Sequence, residues 1–150
     1  LASSAASDVY KRQAADGLME IYLGSISEAS VCGSANTAID MGGDGTEQVL
    51  KYIYDNLDAF RLIFCNSAGT EYEDYFDRLA ETEEKFYRDF VRKYAKEPQK
   101  ISDFFIHVVC RTGWQYVFEV VSHDIPYEEA QGFMKSIREY SFAGWKRVME

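Results

Sequence analysis

The sequence predicts an all-α protein, an antiparallel bundle of about six helices. Three observations carry this prediction. Apolar residues recur at threes and fours along most of the chain, the spacing of one helix face, and no stretch alternates strictly enough to read as a strand. The 150 residues hold only two prolines, Pro98 and Pro126, too few for a loop-rich fold and placed where helices would meet. Hydrophobic residues make up 47% of the chain and aromatics 15%, which suits one domain with a proper core.

Taken in order, residues 1–13 lack hydrophobic rhythm and read as a non-native or disordered stub. The run from Asp8 to Gln13 resembles a sequencing-adapter scar behind small-residue filler. The basic pair Lys11-Arg12 follows the small residues, the reverse of a secretory leader. From Ala14 the domain proper, 14–150, begins. Leu18, Ile21, Tyr22, Ile26 and Ala29 predict a helix over 14–31 that closes near Gly33. The glycines of "MGGDG" predict a flexible loop up to Gly45. Asp44 and Glu47 have the spacing of a capping box and would open a helix over 46–56 with Val49, Leu50, Ile53 and Tyr54 inward. Asp58 would cap a short apolar helix over 59–66. After "NSAGT", Thr70 and Glu73 form a second capping-box pattern, and a long helix runs to the residues before Pro98.

The helix over 101–122 is apolar nearly all round. His107, Arg111, Gln115, Glu119 and His123 each fall four residues after the last, so they make one slowly winding polar stripe. The last helix, 126–149, has Pro126 at its start and Glu128 and Glu129 at its positive end.

Composition excludes several functions. The net charge of −9, or −10 once the +1 of residues 1–13 is removed, repels phosphate backbones and anionic membranes, so no nucleic acid is expected to be gripped by this stretch. No run of residues is long and apolar enough to span a bilayer. Cys32, Cys65 and Cys110 are odd in number and lack paired spacing, which reads as a reducing, cytoplasmic setting. Cys65 with His107 is the one nucleophile-base pairing in view, without any local signature; no catalytic residue is expected. Glu119 and His123 share a helix face, but two ligands do not make a metal site, and no cofactor is expected.

The stripe has two readings: the solvent strip of a buried helix, or the polar lining of a cavity. In the second, Phe60, Phe64, Tyr72, Phe76 and Trp114 would supply apolar walls, and His107, Arg111 and Gln115 the polar contacts of a small-molecule pocket. In the first, the same aromatics are simply core. Carboxylates beside aromatics lean toward a lipophilic or cationic ligand.

Two segments carry a family likeness. "YIYDNLDAFRLIFCNSAGTEYEDYFDRLAETE" (52–83) and "FEVVSHDIPYEEAQGFMKSIREYSFAGWKRVM" (118–149) resemble the C-terminal regulatory domain of bacterial TetR-family transcriptional regulators. The matching features are Tyr54-Asp55 to Phe60, the "CNSAGT" break before Tyr72, Glu119 and His123 ahead of "EEA", and Gly144-Trp145, over about two thirds of the chain. The resemblance implies a homodimer built on helices 101–122 and 126–149, with Val117, Val121, Met134, Ile137, Ser141, Gly144, Trp145 and Val148 at the interface. It also implies an effector cavity among the middle helices, and operator DNA bound through an N-terminal helix-turn-helix domain absent from this sequence. If that domain covers helix 14–31, some of Leu18, Ile21, Tyr22 and Ile26 should be exposed. The alternative is a helical protein-protein interaction module without a small-molecule ligand.

Overall fold

The computed structural model describes the backbone of residues 2–150 and the side chains of residues 4–38 and 44–150. Six α-helices and one 3-10 turn make up the described chain, which contains no strand: α1 Ala2–Ser30, α2 Ala35–Asp55, α3 Leu57–Cys65, α4 Tyr75–Tyr94, α5 Asp103–Ser122 and α6 Tyr127–Met149, with the 3-10 turn at Pro98–Lys100. α1 lies along α2, α4 lies along α5, and α3 fills the space between these pairs against α1 and α5. Phe60, Leu18, Ile53, Ile63 and Leu79 are almost completely buried where α1, α2, α3 and α4 meet. Each such side chain stabilises the fold by about 1.5–3 kcal/mol.

Two expectations about helix boundaries give way. α1 runs back through residues 2–13, because Ala and Ser without Pro or Gly offer no local reason to stop a helix. Arg12 reaches Glu71 at 3.3 Å and Lys11 lies over the Tyr72 ring, so this part of α1 touches the turn before α4. The expected glycine loop is instead helical. Ser34, and not Asp44, is the cap, its hydroxyl accepting a hydrogen bond from the Thr37 amide at 3.2 Å. Glycines cost a helix about 1 kcal/mol each, but Val49, Leu50 and Ile53 anchor α2 in the core. Gly45 is also required by packing, since a Cβ there would stand 2.7 Å from the Ser25 Cβ of α1.

Asn56 both ends α2 and starts α3, its side chain donating to the Tyr52 carbonyl at 3.0 Å; Asp58 lies in the first turn and is not the cap. Before α4 the chain turns through Gly69, whose φ of +73° suits glycine. Glu73 accepts from the Gly69 amide and Thr70 from the Tyr72 amide, so the expected pair braces the turn and α4 begins later, at Tyr75. Ser102 caps α5, accepting from the Phe105 amide.

α6 is held differently from the others. Only Ala130, Met134 and Trp145 along it are buried. Its start is fixed where the Tyr54 hydroxyl donates to the Ile125 carbonyl at 2.6 Å, and its end where the Lys96 amide donates to the Met149 carbonyl at 3.0 Å. Between these points aromatic contacts hold it: Tyr87 stacks on Trp145 with centroids 4.7 Å apart, Phe105 meets Trp145 edge-on, and Tyr116 meets Phe133 edge-on.

Two helix glycines, Gly45 and Gly24, separate packing from propensity. Gly45→Ala should lower the unfolding free energy by about 1–2 kcal/mol, since overpacking outweighs the gain in propensity. Gly24→Ala, with nothing within 4 Å of the added carbon, should raise it by about 0.5–1 kcal/mol. Urea denaturation of both variants checks this, and a stabilised Gly45→Ala would show that α1 and α2 do not meet as described.

Candidate functional site

α6 arches over a cavity of about 690 Å³ whose walls come from α1, α2, α4, α5 and α6. The lining is mostly apolar and aromatic. Tyr22, Ile26 and Ala29 of α1 face Val49 of α2; Phe86, Tyr87 and Phe90 come from α4. Val109, Cys110, Trp114 and Val117 come from α5, and exposed Tyr140, Phe142 and Gly144 of α6 mark the mouth.

One carboxyl group interrupts this surface. Glu83 enters from α4, in step with Phe76, Ala80, Tyr87 and Phe90 on the inward side of that helix. Gly113 on α5 leaves it room: a Cβ there would lie 3.8 Å from the Glu83 Oε2. Burial pushes the Glu83 carboxyl up to about 8, although the Tyr22 hydroxyl and the Trp114 indole N–H both face it and favour the charged form. Trp114 Nε1 is itself buried and stops short of a hydrogen bond. Tyr22 meets Trp114 edge-on, with centroids 5.0 Å apart, so the carboxyl faces an aromatic corner. Burial, with Glu83 as a like-charged neighbour, also raises the Tyr22 and Tyr87 hydroxyls and the Cys110 thiol. At neutral pH the chamber therefore holds uncharged acids, and Arg138 is the only cation among its described lining residues.

Of the eight residues expected to form the pocket, only Trp114 lines this cavity. Phe60 and Phe64 are sealed in the core, where Phe64 packs on Phe76 at 4.5 Å and Phe76 on Phe118 at 5.8 Å. Tyr72 is buried beside α1 at a separate hollow with Arg12, Asp16 and Glu71. The polar stripe faces α4 and solvent. His107 Nδ1 lies 2.6 Å from the Glu84 carboxylate, which also accepts from Arg88 at 2.8 Å. Arg111 pairs with Asp77, and Gln115 donates to Glu119 at 2.7 Å. The stripe is a seam between α4 and α5 because Asp77 and Glu84 recur every two turns opposite it.

Of the residues expected at a dimer interface, some are buried within the single chain and others, Gly144 and Val148, are exposed. Val117 and Val121 are buried within the chain. Met134, Ile137, Ser141, Gly144, Trp145 and Val148 stand on the cavity wall. Outward apolar residues of these helices include the expected Val148 and, more exposed, Phe104 and Tyr140 at 75% and 72%. On α1, Leu18 is fully buried and Ile21, Tyr22 and Ile26 are half-buried, whereas Leu23 is exposed.

Glu119 and His123 approach to 3.3 Å, but among the described residues no group of three or more His, Cys, Asp or Glu is placed to hold a metal ion. Cys65 lies beside Arg61 and Asp124, away from His107 on the α4 seam. Among the described residues no helix is long and apolar enough to cross a membrane. No family model, curated protein or solved structure matches the chain.

The Glu83 environment sets a pH dependence. The folded protein keeps the Glu83 proton up to about pH 8, whereas the unfolded chain releases it near the ordinary 4.5. The folded state binds more protons between these values, so this residue's contribution to stability falls as pH rises through that window. Glu83→Gln removes the fall. Urea titrations should show the variant equal to the parent near about pH 5 and more stable by about 1–3 kcal/mol near about pH 9. A difference independent of pH would contradict the burial of this carboxyl.

Proposed function

We propose that this chain is a small-molecule-sensing and dimerising domain of the kind found in TetR-type transcriptional repressors. The observation that carries the reading is the chamber under α6. Ligand sites in helical bundles are hollows of a few hundred Å³ or more, mainly apolar, with a few convergent polar groups. A cavity of about 690 Å³ walled by Tyr22, Tyr87, Trp114 and Trp145, with Glu83 and Ser141 among its few polar members, has that character. In this reading α1 forms part of the chamber wall and transmits occupancy along its length, and operator DNA is bound by a separate helix-turn-helix domain. The coupling between effector and operator would be about 1–3 kcal/mol.

Dimerisation would use the outward surface of α5 and α6, where Phe104 and Tyr140 are exposed. The same exposed residues favour a second reading, a helical protein-protein interaction module without a ligand. Occupancy of the chamber distinguishes the two.

Trp114 and Trp145 both line the cavity and make it its own reporter. An uncharged lipophile such as phenylhexanol should alter their fluorescence with a dissociation constant on the order of micromolar. Gly113→Leu, whose side chain starts against Glu83 and otherwise meets open cavity, should abolish that response while leaving helical circular dichroism intact. Emission unchanged across a broad panel of lipophiles would favour the interaction module. Light scattering should find a dimer, and a monomer at micromolar concentration would remove the dimerisation part of the reading.

A further inference from the structure

Glu83 is the chemically distinctive group of the chamber. A carboxyl placed on an apolar wall is costly to ionise unless a positive charge joins it. The titratable and charged groups facing it are Tyr22 from α1, Tyr87 from α4, and Cys110 from α5, with the Trp114 indole as a neutral donor. α2 contributes Thr46 and Val49 to the chamber, and neither is charged. Arg138 stands on the α6 wall, has an interaction of its own and is not among the groups acting on Glu83. The Tyr22 hydroxyl and the Trp114 indole are neutral donors, and no cation stands among the groups acting on Glu83.

The geometry points to a hydrophobic monocation as the ligand: its apolar body fills the chamber and its cationic nitrogen sits at the Glu83 carboxyl, against the Tyr22–Trp114 aromatic corner. This rests on the reading of the chamber as a ligand site and goes beyond it in naming the charge and the residue that reads it. An anionic ligand would meet Glu83 and find no free cation, and a neutral one would fit the walls without using the carboxyl. A cation gains from the carboxylate and from the ring faces together. The balance is one proton: the neutral Glu83 acid releases H⁺ to solvent, and the carboxylate left behind pairs with the bound cation. Affinity should therefore rise about tenfold per pH unit below about pH 8 and level off above it.

Phenylhexyl-trimethylammonium and phenylhexanol, titrated calorimetrically into the intact chain and into Glu83→Gln, test this. The cation should bind the parent more tightly than the alcohol, and the substitution should weaken the cation about tenfold or more while leaving the alcohol unchanged. In the unsubstituted protein the cation alone should show the rise with pH, which needs no variant to fold. If both compounds bind but neither the substitution nor pH separates them, the assignment of Glu83 is overturned and the chamber remains a ligand site. If neither compound binds, the assignment and the sensing reading fall together.

Discussion

The stack of Tyr87 on Trp145 sets how far α6 stands from the rest of the bundle. With its start tied to Tyr54 and its end tied to Lys96, α6 is a strut fixed at both ends. The ring contacts in between act as spacers: a flat pair of large rings at 4.7 Å, crossed edge-on by Phe105, cannot be compressed without losing contacts each worth about 0.5–1.5 kcal/mol. Small side chains at Ser141 and Gly144, facing the hollow from the same helix, leave the space unfilled. Ordinary core packing closes such gaps because a void sacrifices dispersion contacts. Here the gap persists because both ends of the covering helix, and the large rings along it, fix its height.

Glu83 fits the same account. Its position on α4 belongs to the inward phase, where the neighbours are Phe76, Ala80, Tyr87 and Phe90. In a packed core this would be among the most destabilising choices available. Against an open chamber the group instead keeps its proton and waits on an outside charge. Strongly perturbed acids gather where a protein binds or reacts, and this one stands on the wall of a large chamber. The Glu84 carboxylate next to it has a different fate: it is buried too, but accepts a hydrogen bond from Arg88 and pairs with His107, and so serves the seam between α4 and α5.

The helical class and most helix positions were legible because periodicity reports directly on which face is buried. α3 to α6 follow the expected spans to within a few residues. α2 was obscured because its glycines speak locally for a loop, while the reason to keep Gly45 is a contact with Ser25, some twenty residues earlier in the chain. The site was less legible. Five residues at spacing four do form a stripe, but spacing alone does not say whether a stripe meets a cavity or a facing row of charges, and Asp77 and Glu84 of α4 provide the row. Glu83 did leave a signal, a lone acid in the apolar phase of α4, hidden by Glu81 and Glu84 on either side of it.

The choice of ligand turns on whether the Glu83 carboxyl is held uncharged on the wall of the chamber that α6 keeps open. A carbon-detected NMR titration of glutamate side-chain carboxyls, with Glu83 assigned by its absence in Glu83→Gln, measures this directly. The Glu83 signal should titrate with a midpoint near 8. A midpoint at the ordinary value near 4.5 would mean that water or an internal cation reaches the group, and would contradict the account.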